Sequence, residues 1–267
     1  MLENEKYFHQ IYLHWRKYAL LYIHQQHRYR ESGRNSMALQ EKHCVLRRGL
    51  IVSCQALEDE PLHGPGIMTK MALAAQFGGA VGLRVNGPED IEDISKACDL
   101  PIIGIYKASY TGYDVYITPT MKEVEALVKT DIAVIAVDST FRPRPGFEKP
   151  EQFIAAIKAR YPIPVMADVS TLEEGINACR AGADIISTTL SSYTEYTRER
   201  EKPDLDLVRK LVAVLDIPIV AEGNVMTPEQ ALECLKAGAY AVVVGSAITR
   251  PQIITQRFVD TMSCALA

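Results

Sequence analysis

Three segments of the chain share a pattern in which a helical stretch ends at a glycine and an apolar run follows almost at once. They read FGGAVGLRV from Phe77, AGADIIS from Ala181 and AGAYAVVVG from Ala237. Glycine is the usual residue just past the end of a helix, where the backbone turns into a left-handed conformation. A turn that recurs in this way indicates repeated helix–strand units, and unbroken apolar runs are typical of strands in a parallel sheet.

Eight apolar runs predict the strands of this sheet, and a helical stretch follows each of them. A chain of 267 residues is long enough for one such barrel. We therefore predict an α/β fold, a TIM (β/α)8 barrel over residues 49–267, with the VYIT segment at 115–118 in the connection after the third strand. The predicted strands are Leu50–Ser53, Val81–Val85, Ile102–Tyr106, Ala133–Val137, Pro164–Ala167, Asp184–Ser187, Pro218–Ala221 and Ala241–Val244.

Residues 1–48 differ in composition from the rest of the chain. They hold five of the six histidines, with nine Lys/Arg against four Asp/Glu. Apolar residues at helical spacing allow a basic amphipathic helix for a membrane surface or a partner. The irregular histidine spacing disfavours a metal cluster. The interpretation we adopt is an N-terminal extension, helical or poorly ordered, that the barrel does not need.

The remaining residues carry 20 basic and 29 acidic side chains, and this acidic balance argues against binding to nucleic acid in bulk. No apolar run approaches the ~20 residues that span a bilayer, and no secretory signal is visible, so no membrane partner is expected. The six cysteines form no CxxC motif. Reduced thiols and a cytoplasmic location are therefore expected, without a metal site.

Charged residues come directly after three of the buried runs. Lys107 follows the third predicted strand, Asp168 the fifth and Glu222 the seventh, while Gln55 and Arg84 lie at the ends of the first two. Right-handed crossovers place all these strand ends on one face of a barrel. A lysine and a glutamate there could move a proton beside a carbonyl whose oxygen an arginine polarises. The lysine could also form a Schiff base, as in aldolases, and the residues alone leave both chemistries open.

The stretch from Ile217 to Pro251 indicates a phosphate site. Gly-rich turns follow its two strands, and Arg250 lies at the start of the terminal helix. Free backbone N–H groups at such turns and at a helix N-terminus bind phosphate in barrels of this type. The predicted phosphate-binding residues are Gly223, Asn224, Gly245, Ser246 and Arg250.

Several segments together resemble the N-acetylmannosamine-6-phosphate 2-epimerase family. They include SCQALEDEPLH, LPIIGIYK, IAVDSTFRPRP, AGADIISTTLSSYT, VAEGN and VVVGSAITRP, and the resemblance runs from about Gly49 to the C-terminus. It implies an isomerase that interconverts the 6-phosphates of N-acetylmannosamine and N-acetylglucosamine by proton abstraction and re-addition at C2, in sialic acid and amino-sugar catabolism. It also implies a phosphorylated amino sugar as the small-molecule partner and no cofactor or metal. A homodimer is one possibility for the assembly.

By the same resemblance, Lys107 and Glu222 are catalytic, and Gln55, Arg84 and Asp168 bind the sugar. The chain departs from the family pattern at Ala108-Ser109, where Arg-Asp is usual, and at Ser192, where glycine is usual. Two alternatives remain from the residues themselves. One is a Schiff-base lyase or aldolase, and the other is a non-catalytic regulator that senses a phosphosugar.

Overall fold

The structure is a computed structural model that describes residues 45–265. Its eight strands form a closed parallel barrel in chain order, with β8 hydrogen-bonded to β1. The predicted TIM barrel is therefore confirmed, and each predicted strand lies within two residues of an observed one. The strands are β1 Gly49–Cys54, β2 Gly82–Asn86, β3 Ile102–Ile105, β4 Val134–Asp138, β5 Val165–Asp168, β6 Ile185–Ser187, β7 Ile219–Ala221 and β8 Ala241–Val244.

Helices alternate with the strands, and two further helices follow β8. A short 3-10 turn, Glu195–Thr197, lies between β6 and the next helix. Thr227 caps α7 by accepting a hydrogen bond from the Gln230 backbone N–H at 3.2 Å. The helices are α1 Ile67–Phe77, α2 Pro88–Ala97, α3 Met121–Leu127, α4 Pro150–Arg160, α5 Leu172–Arg180, α6 Leu205–Val214, α7 Pro228–Lys236, α8 Ser246–Thr249 and α9 Pro251–Ser263.

The recurring glycines turn each helix end into the next strand, as predicted. Gly79, Gly182 and Gly238 have φ angles of 89°, 98° and 104°, in the region that side chains rarely adopt. At Gly238 a Cβ atom would also lie 2.9 Å from Cγ1 of Val212 on α6. This turn therefore brings α7 and α6 closer together than any residue with a side chain would allow.

Two apolar layers share the residues of the strands. One layer packs between the strands and the helices, and the other, which includes Ile51, Ile103, Met166 and Val243, fills the inside of the barrel. Alternate residues of a strand point to opposite faces, which explains the division. Because apolar side chains fill the interior, the polar residues that follow the strands collect at the carboxyl-end rim.

Leu46 belongs to the inner layer although it precedes the first strand. Its side chain is 2% exposed, and its carbonyl oxygen accepts a hydrogen bond from the Tyr240 hydroxyl at 2.8 Å. Residues 1–44 lie outside the described residues. The predictions of a helix, a membrane contact or a metal site in that extension concern these residues. The boundary at residue 48 stays a prediction, but a shortened chain with an intact barrel has to retain Leu46.

Within residues 45–265, no helix is long and apolar enough to cross a membrane.

We expect Leu46→Ala to lower the free energy of unfolding by about 2–5 kcal/mol, since it empties space inside the barrel. Val45→Ala is the matched control, because Val45 is 47% exposed and surface changes cost roughly 0.5 kcal/mol or less. Denaturant unfolding of the full chain measures both. Equal stability of the two variants would show that Leu46 does not contribute to the core.

Candidate active site

A cavity of about 170 Å³ opens at the carboxyl ends of the strands. Six of the ten predicted site residues lie in its wall: Gln55, Arg84, Lys107, Gly245, Ser246 and Arg250. The rest of the wall comes from residues that the sequence analysis did not assign to the site, which are Ser53, Ile105, Tyr116, Ile117, Thr189, Tyr193 and Thr249. The barrel thus gathers residues from five strands and the connections that follow them into one site.

Arg84 and Asp168 form a buried ion pair across the barrel, from β2 to β5. Nη2 of Arg84 lies 2.5 Å from Oδ2 of Asp168, and Nη1 lies 3.1 Å from Oδ1. The two side chains are 1% and 0% exposed. Such a bidentate pair fixes the guanidinium plane as well as its charge.

Glu222, which follows β7, is the second carboxylate beside this guanidinium. Its Oε2 lies 3.3 Å from Nη1 of Arg84, and the side chain is 14% exposed. Burial alone would lower the pKa of Arg84, but Asp168 and Glu222 together raise it. Arg84 therefore stays a cation at every pH at which the protein is folded.

Burial raises the pKa of Glu222, and the negative charge of Asp168 raises it further. Arg84, a hydrogen bond from Thr189 and the charge of Lys107 act in the opposite direction. A glutamate with a raised pKa can hold or release a proton nearer to neutral pH than an exposed one. Glu222 is thereby suited to general acid–base chemistry.

Lys107 comes directly after β3, where its backbone N–H donates to Oδ1 of Asn86 at 2.8 Å. Burial lowers the pKa of Lys107 to about 8, and the positive charges of Arg250 and Arg84 contribute, while Glu222 and Glu60 oppose the change. A lysine with such a pKa is neutral in a substantial fraction of molecules near pH 8. It can then act as a base or as a nucleophile.

Residues 115–118 lie in the connection after β3, as the sequence predicted, and this connection folds back over the site. Lys107 and Ile117 form an isolated antiparallel bridge, and the Ala108 N–H donates to the Tyr116 carbonyl at 3.0 Å. Ala108, one of the departures from the family pattern, thus contributes its backbone here. Ser192, another departure, adopts a φ of 70°, which glycine adopts more readily.

Arg250 lies at the predicted phosphate end of the cavity. It donates to the Ser246 hydroxyl at 3.1 Å, while its Nε and Nη2 lie 2.5 and 2.9 Å from the carboxylate of Glu60. Glu60 belongs to the connection after β1, and the sequence analysis did not identify it. No strand ends at Glu60, so the rim pattern could not have revealed it.

Four predicted site residues lie outside the cavity wall itself. Asp168 and Glu222 lie behind Arg84 and Thr189, whose side chains contact them. Gly223 and Asn224 have φ angles of 107° and 56°, and Oδ1 of Asn224 lies 3.4 Å from the hydroxyl of Tyr193. Contact of these two residues with a phosphate stays a prediction.

Thr189 is the buried polar residue that the sequence analysis did not assign to the site. Its hydroxyl lies 2.8 Å from Oδ1 of Asp168 and 3.0 Å from Oε2 of Glu222. It follows β6 at the same rim as the charged residues. Its position after a buried run is the signal that could have found it, although a neutral hydroxyl is common in loops.

Across residues 45–265, no three His, Cys, Asp or Glu side chains are grouped so that they could hold a metal ion.

The fold and the site together define a TIM-barrel enzyme whose carboxyl-end rim gathers acidic and basic side chains around one cavity. Residues 68–264 match the profile of a family described as "Putative N-acetylmannosamine-6-phosphate epimerase". The chain belongs to this family.

Curated relatives carry the corresponding name, "Putative N-acetylmannosamine-6-phosphate 2-epimerase". One from Caldanaerobacter subterraneus subsp. tengcongensis is 55% identical over 215 residues, which are 80% of this chain and 91% of the relative. Another, from Shouchella clausii, is 51% identical over 226 residues, which are 82% of this chain and 99% of the relative. The match thus spans almost the full length of both relatives.

Among solved structures, the N-acetylmannosamine-6-phosphate 2-epimerase from Clostridium perfringens matches with a TM-score of 0.76 and 51% identity, over 79% of this chain and 92% of that one. A thiamine phosphate pyrophosphorylase from Pyrococcus furiosus matches with a TM-score of 0.52 and 19% identity, over 76% and 87% of the two chains. The second likeness shows the fold alone.

We expect Lys107 to react with acetic anhydride with a midpoint near pH 8, because only the neutral amine is nucleophilic and its pKa is lowered to about 8. Competitive labelling from pH 6 to 11, read by mass spectrometry, measures it. Lys96 is the control, since its side chain is 71% exposed. A common midpoint for both lysines would contradict the prediction.

Proposed function

We propose that this chain is a sugar-phosphate isomerase that interconverts N-acetylmannosamine 6-phosphate and N-acetylglucosamine 6-phosphate, in the breakdown of sialic acids and amino sugars. The observation that carries the proposal is the grouping of Lys107, in the cavity wall, and Glu222, directly behind that wall, around the fixed cation of Arg84. Membership of the family supports the assignment of this substrate.

The reaction needs a way to invert C2, a carbon that carries one hydrogen. In the open-chain sugar the neighbouring aldehyde acidifies this hydrogen, and its removal leaves an enolate whose negative charge lies mainly on oxygen. A base must act at one face of C2, and an acid must deliver a proton at the other. A cation near the oxygen stabilises the intermediate.

Lys107 and Glu222 are suited to the two faces of C2. One follows β3 and the other follows β7, and these strands lie on opposite sides of an eight-stranded ring. Together the pair has to hold one proton. In one direction the ionised glutamate takes the C2 proton and the lysine ammonium gives one up, and in the other direction the roles reverse.

Arg84 is the residue we assign to the enolate oxygen, with Gln55 as the second donor. The Arg84 charge is fixed by Asp168, so it does not compete for the proton that moves. The amide nitrogen of Gln55 donates to the Ser53 hydroxyl at 2.6 Å, which orients this side chain in the cavity wall. Asp168 acts on the sugar by holding Arg84 in place.

The 6-phosphate belongs at the other end of the cavity. Gly245 caps α8 and Ser246 begins it, this N-terminus has no side-chain cap, and Arg250 supplies a positive charge there. We assign Gly223 and Asn224 to the same phosphate, since their turn borders the cavity through Tyr193.

A Schiff-base lyase or aldolase is the second candidate, and the lowered pKa of Lys107 is the observation in its favour. Borohydride in the presence of substrate would trap a Lys107 adduct only in that case. A silent phosphosugar sensor would need neither Lys107 nor Glu222. Family membership favours the epimerase over both.

We place the enzyme in the cytoplasm, because the five cysteines among the described residues are unpaired, as in reducing compartments. A homodimer stays one possibility for its assembly, and sedimentation of the full chain would test it.

We expect Lys107→Ala and Glu222→Gln each to lose ~10²–10⁴-fold in kcat, since each removes a proton-transfer group. Proton NMR in D2O measures both this rate and the single deuterium that wild-type product should gain at C2. Lys96→Ala, at an exposed lysine, is the control. Full activity of Glu222→Gln would rule out the two-residue scheme, and epimerisation without solvent deuterium would require a shielded proton.

Arg250→Ala should raise KM for N-acetylmannosamine 6-phosphate by roughly 10–100-fold, the worth of a charged hydrogen bond. Turnover of the sugar without phosphate should stay equally poor. Arg257→Ala is the matched control, because Arg257 lies on α9 and donates to the Met226 carbonyl. If both sugars are affected alike, the phosphate is bound elsewhere.

A further inference from the structure

Thr189 has one hydroxyl proton but two carboxylates within hydrogen-bond distance. Its Oγ1 lies 2.8 Å from Oδ1 of Asp168 and 3.0 Å from Oε2 of Glu222. The hydroxyl of Ser187, at the end of β6, lies 2.8 Å from Oγ1 of Thr189. If Ser187 donates to Thr189, the Thr189 proton is left for one carboxylate or the other.

We propose that Thr189 is a positioning residue whose hydroxyl turns from Glu222 to Asp168 when Glu222 gains the proton of the reaction, and turns back when Glu222 releases it. The inference deepens the proposed function and rests on it.

The physical reason is the difference between a charged and a neutral acceptor. Hydrogen bonds to an ionised carboxylate are roughly twice as strong as those to a neutral group. While Glu222 is ionised, it competes with Asp168 for the Thr189 proton. Asp168 already accepts two hydrogen bonds from Arg84, so the Thr189 proton contributes more at Glu222.

Proton transfer reverses this preference. The C2 proton moves to the Glu222 carboxylate, and the electron pair of the broken C–H bond stays on the substrate as the enolate. Glu222 is then a neutral acid and a weak acceptor, so the Thr189 hydroxyl turns to ionised Asp168. No proton passes through Thr189. The Lys107 ammonium protonates the enolate at the other face of C2, and the cycle closes when Glu222 releases its proton to solvent and the Lys107 amine takes one up.

Arg84 cannot change its hydrogen-bond partner when Glu222 gains a proton, because Asp168 fixes its charge and orientation. Four other charged or titratable groups face Glu222: Arg84 from β2, Lys107 after β3, Asp168 from β5 and Tyr193 from the segment after β6. A hydroxyl rotates about one bond, which makes Thr189 the group beside Glu222 that can follow the proton.

Thr189→Val tests the proposal, since it keeps the shape of the side chain and removes the hydroxyl. The first measurement is the pKa of Glu222 in the free enzyme, from the 13C NMR shift of its carboxyl carbon, assigned by its loss in Glu222→Gln. Removing a donor to the ionised form should raise this pKa by about one unit. Thr189→Ser, which keeps the hydroxyl, should restore the wild-type value.

The second measurement is kinetic. We expect kcat of Thr189→Val to fall about tenfold while KM changes less than about threefold, since the hydroxyl acts during proton transfer and not in substrate binding. A loss of packing alone would not move the pKa of Glu222 and would not be reversed by serine. If the valine variant does not fold, Thr189→Ala is measured against Thr189→Ser in the same way.

An unchanged Glu222 pKa would overturn the proposal, because Thr189 then does not donate to Glu222. A raised pKa with unchanged kcat would overturn the switching, since the hydrogen bond would exist without following the proton. A wild-type protein that does not epimerise the phosphosugar would overturn the proposed function and the switch with it. The pKa measurement on free enzyme separates these cases.

Discussion

The ion pair between Arg84 and Asp168 is the interaction on which the rest of the site depends. Both side chains are almost completely buried at the centre of the rim. A buried charge whose partner is removed typically costs about 3–5 kcal/mol, so each of these residues requires the other. The pair ties β2 to β5, and its cation sets the electrostatic potential at Glu222, Lys107 and the cavity between them.

The balance of charge around this pair explains the two shifted pKa values. Burial raises the pKa of Glu222 more than the attraction of Arg84 lowers it, because Asp168 offsets the charge of Arg84. Lys107 lies near Arg250 and Arg84, and two cations add to burial in lowering its pKa. The shifts bring an acid and a base closer together in proton affinity than either would be in water. The proton exchange that we propose between Lys107 and Glu222 depends on this similarity in proton affinity.

Much of this arrangement could be predicted from the sequence. Apolar runs broken by glycine turns located the strands, because a strand buried on both faces is apolar along its whole length. Charged residues directly after those runs located Lys107, Asp168 and Glu222, because charge beside a core is costly unless it is used or paired.

The partners of those residues could not be predicted in the same way. Glu60 follows no strand, and Thr189, although it follows β6, carries a neutral hydroxyl that is common in loops. Each meets its partner across a long separation in sequence. Glu60 contacts Arg250 across 190 residues, and Thr189 contacts Glu222 across 33. Such contacts depend on the closed geometry of the barrel, which a linear pattern does not contain. Leu46 was assigned to the extension for the same reason, since its contact is with Tyr240.

The Glu60–Arg250 pair is one of several contacts that join the first and last parts of the barrel, and two others are hydrogen bonds. Tyr240 bonds to Leu46 across 194 residues, and Thr249 bonds to the Ser53 carbonyl across 196. All three lie along the seam where β8 meets β1. Contacts so distant in sequence carry the largest loop-closure entropy cost. The end of the cavity that holds Arg250 is therefore completed by ring closure itself, and a chain in which β8 had not paired with β1 would lack Arg250 at the cavity.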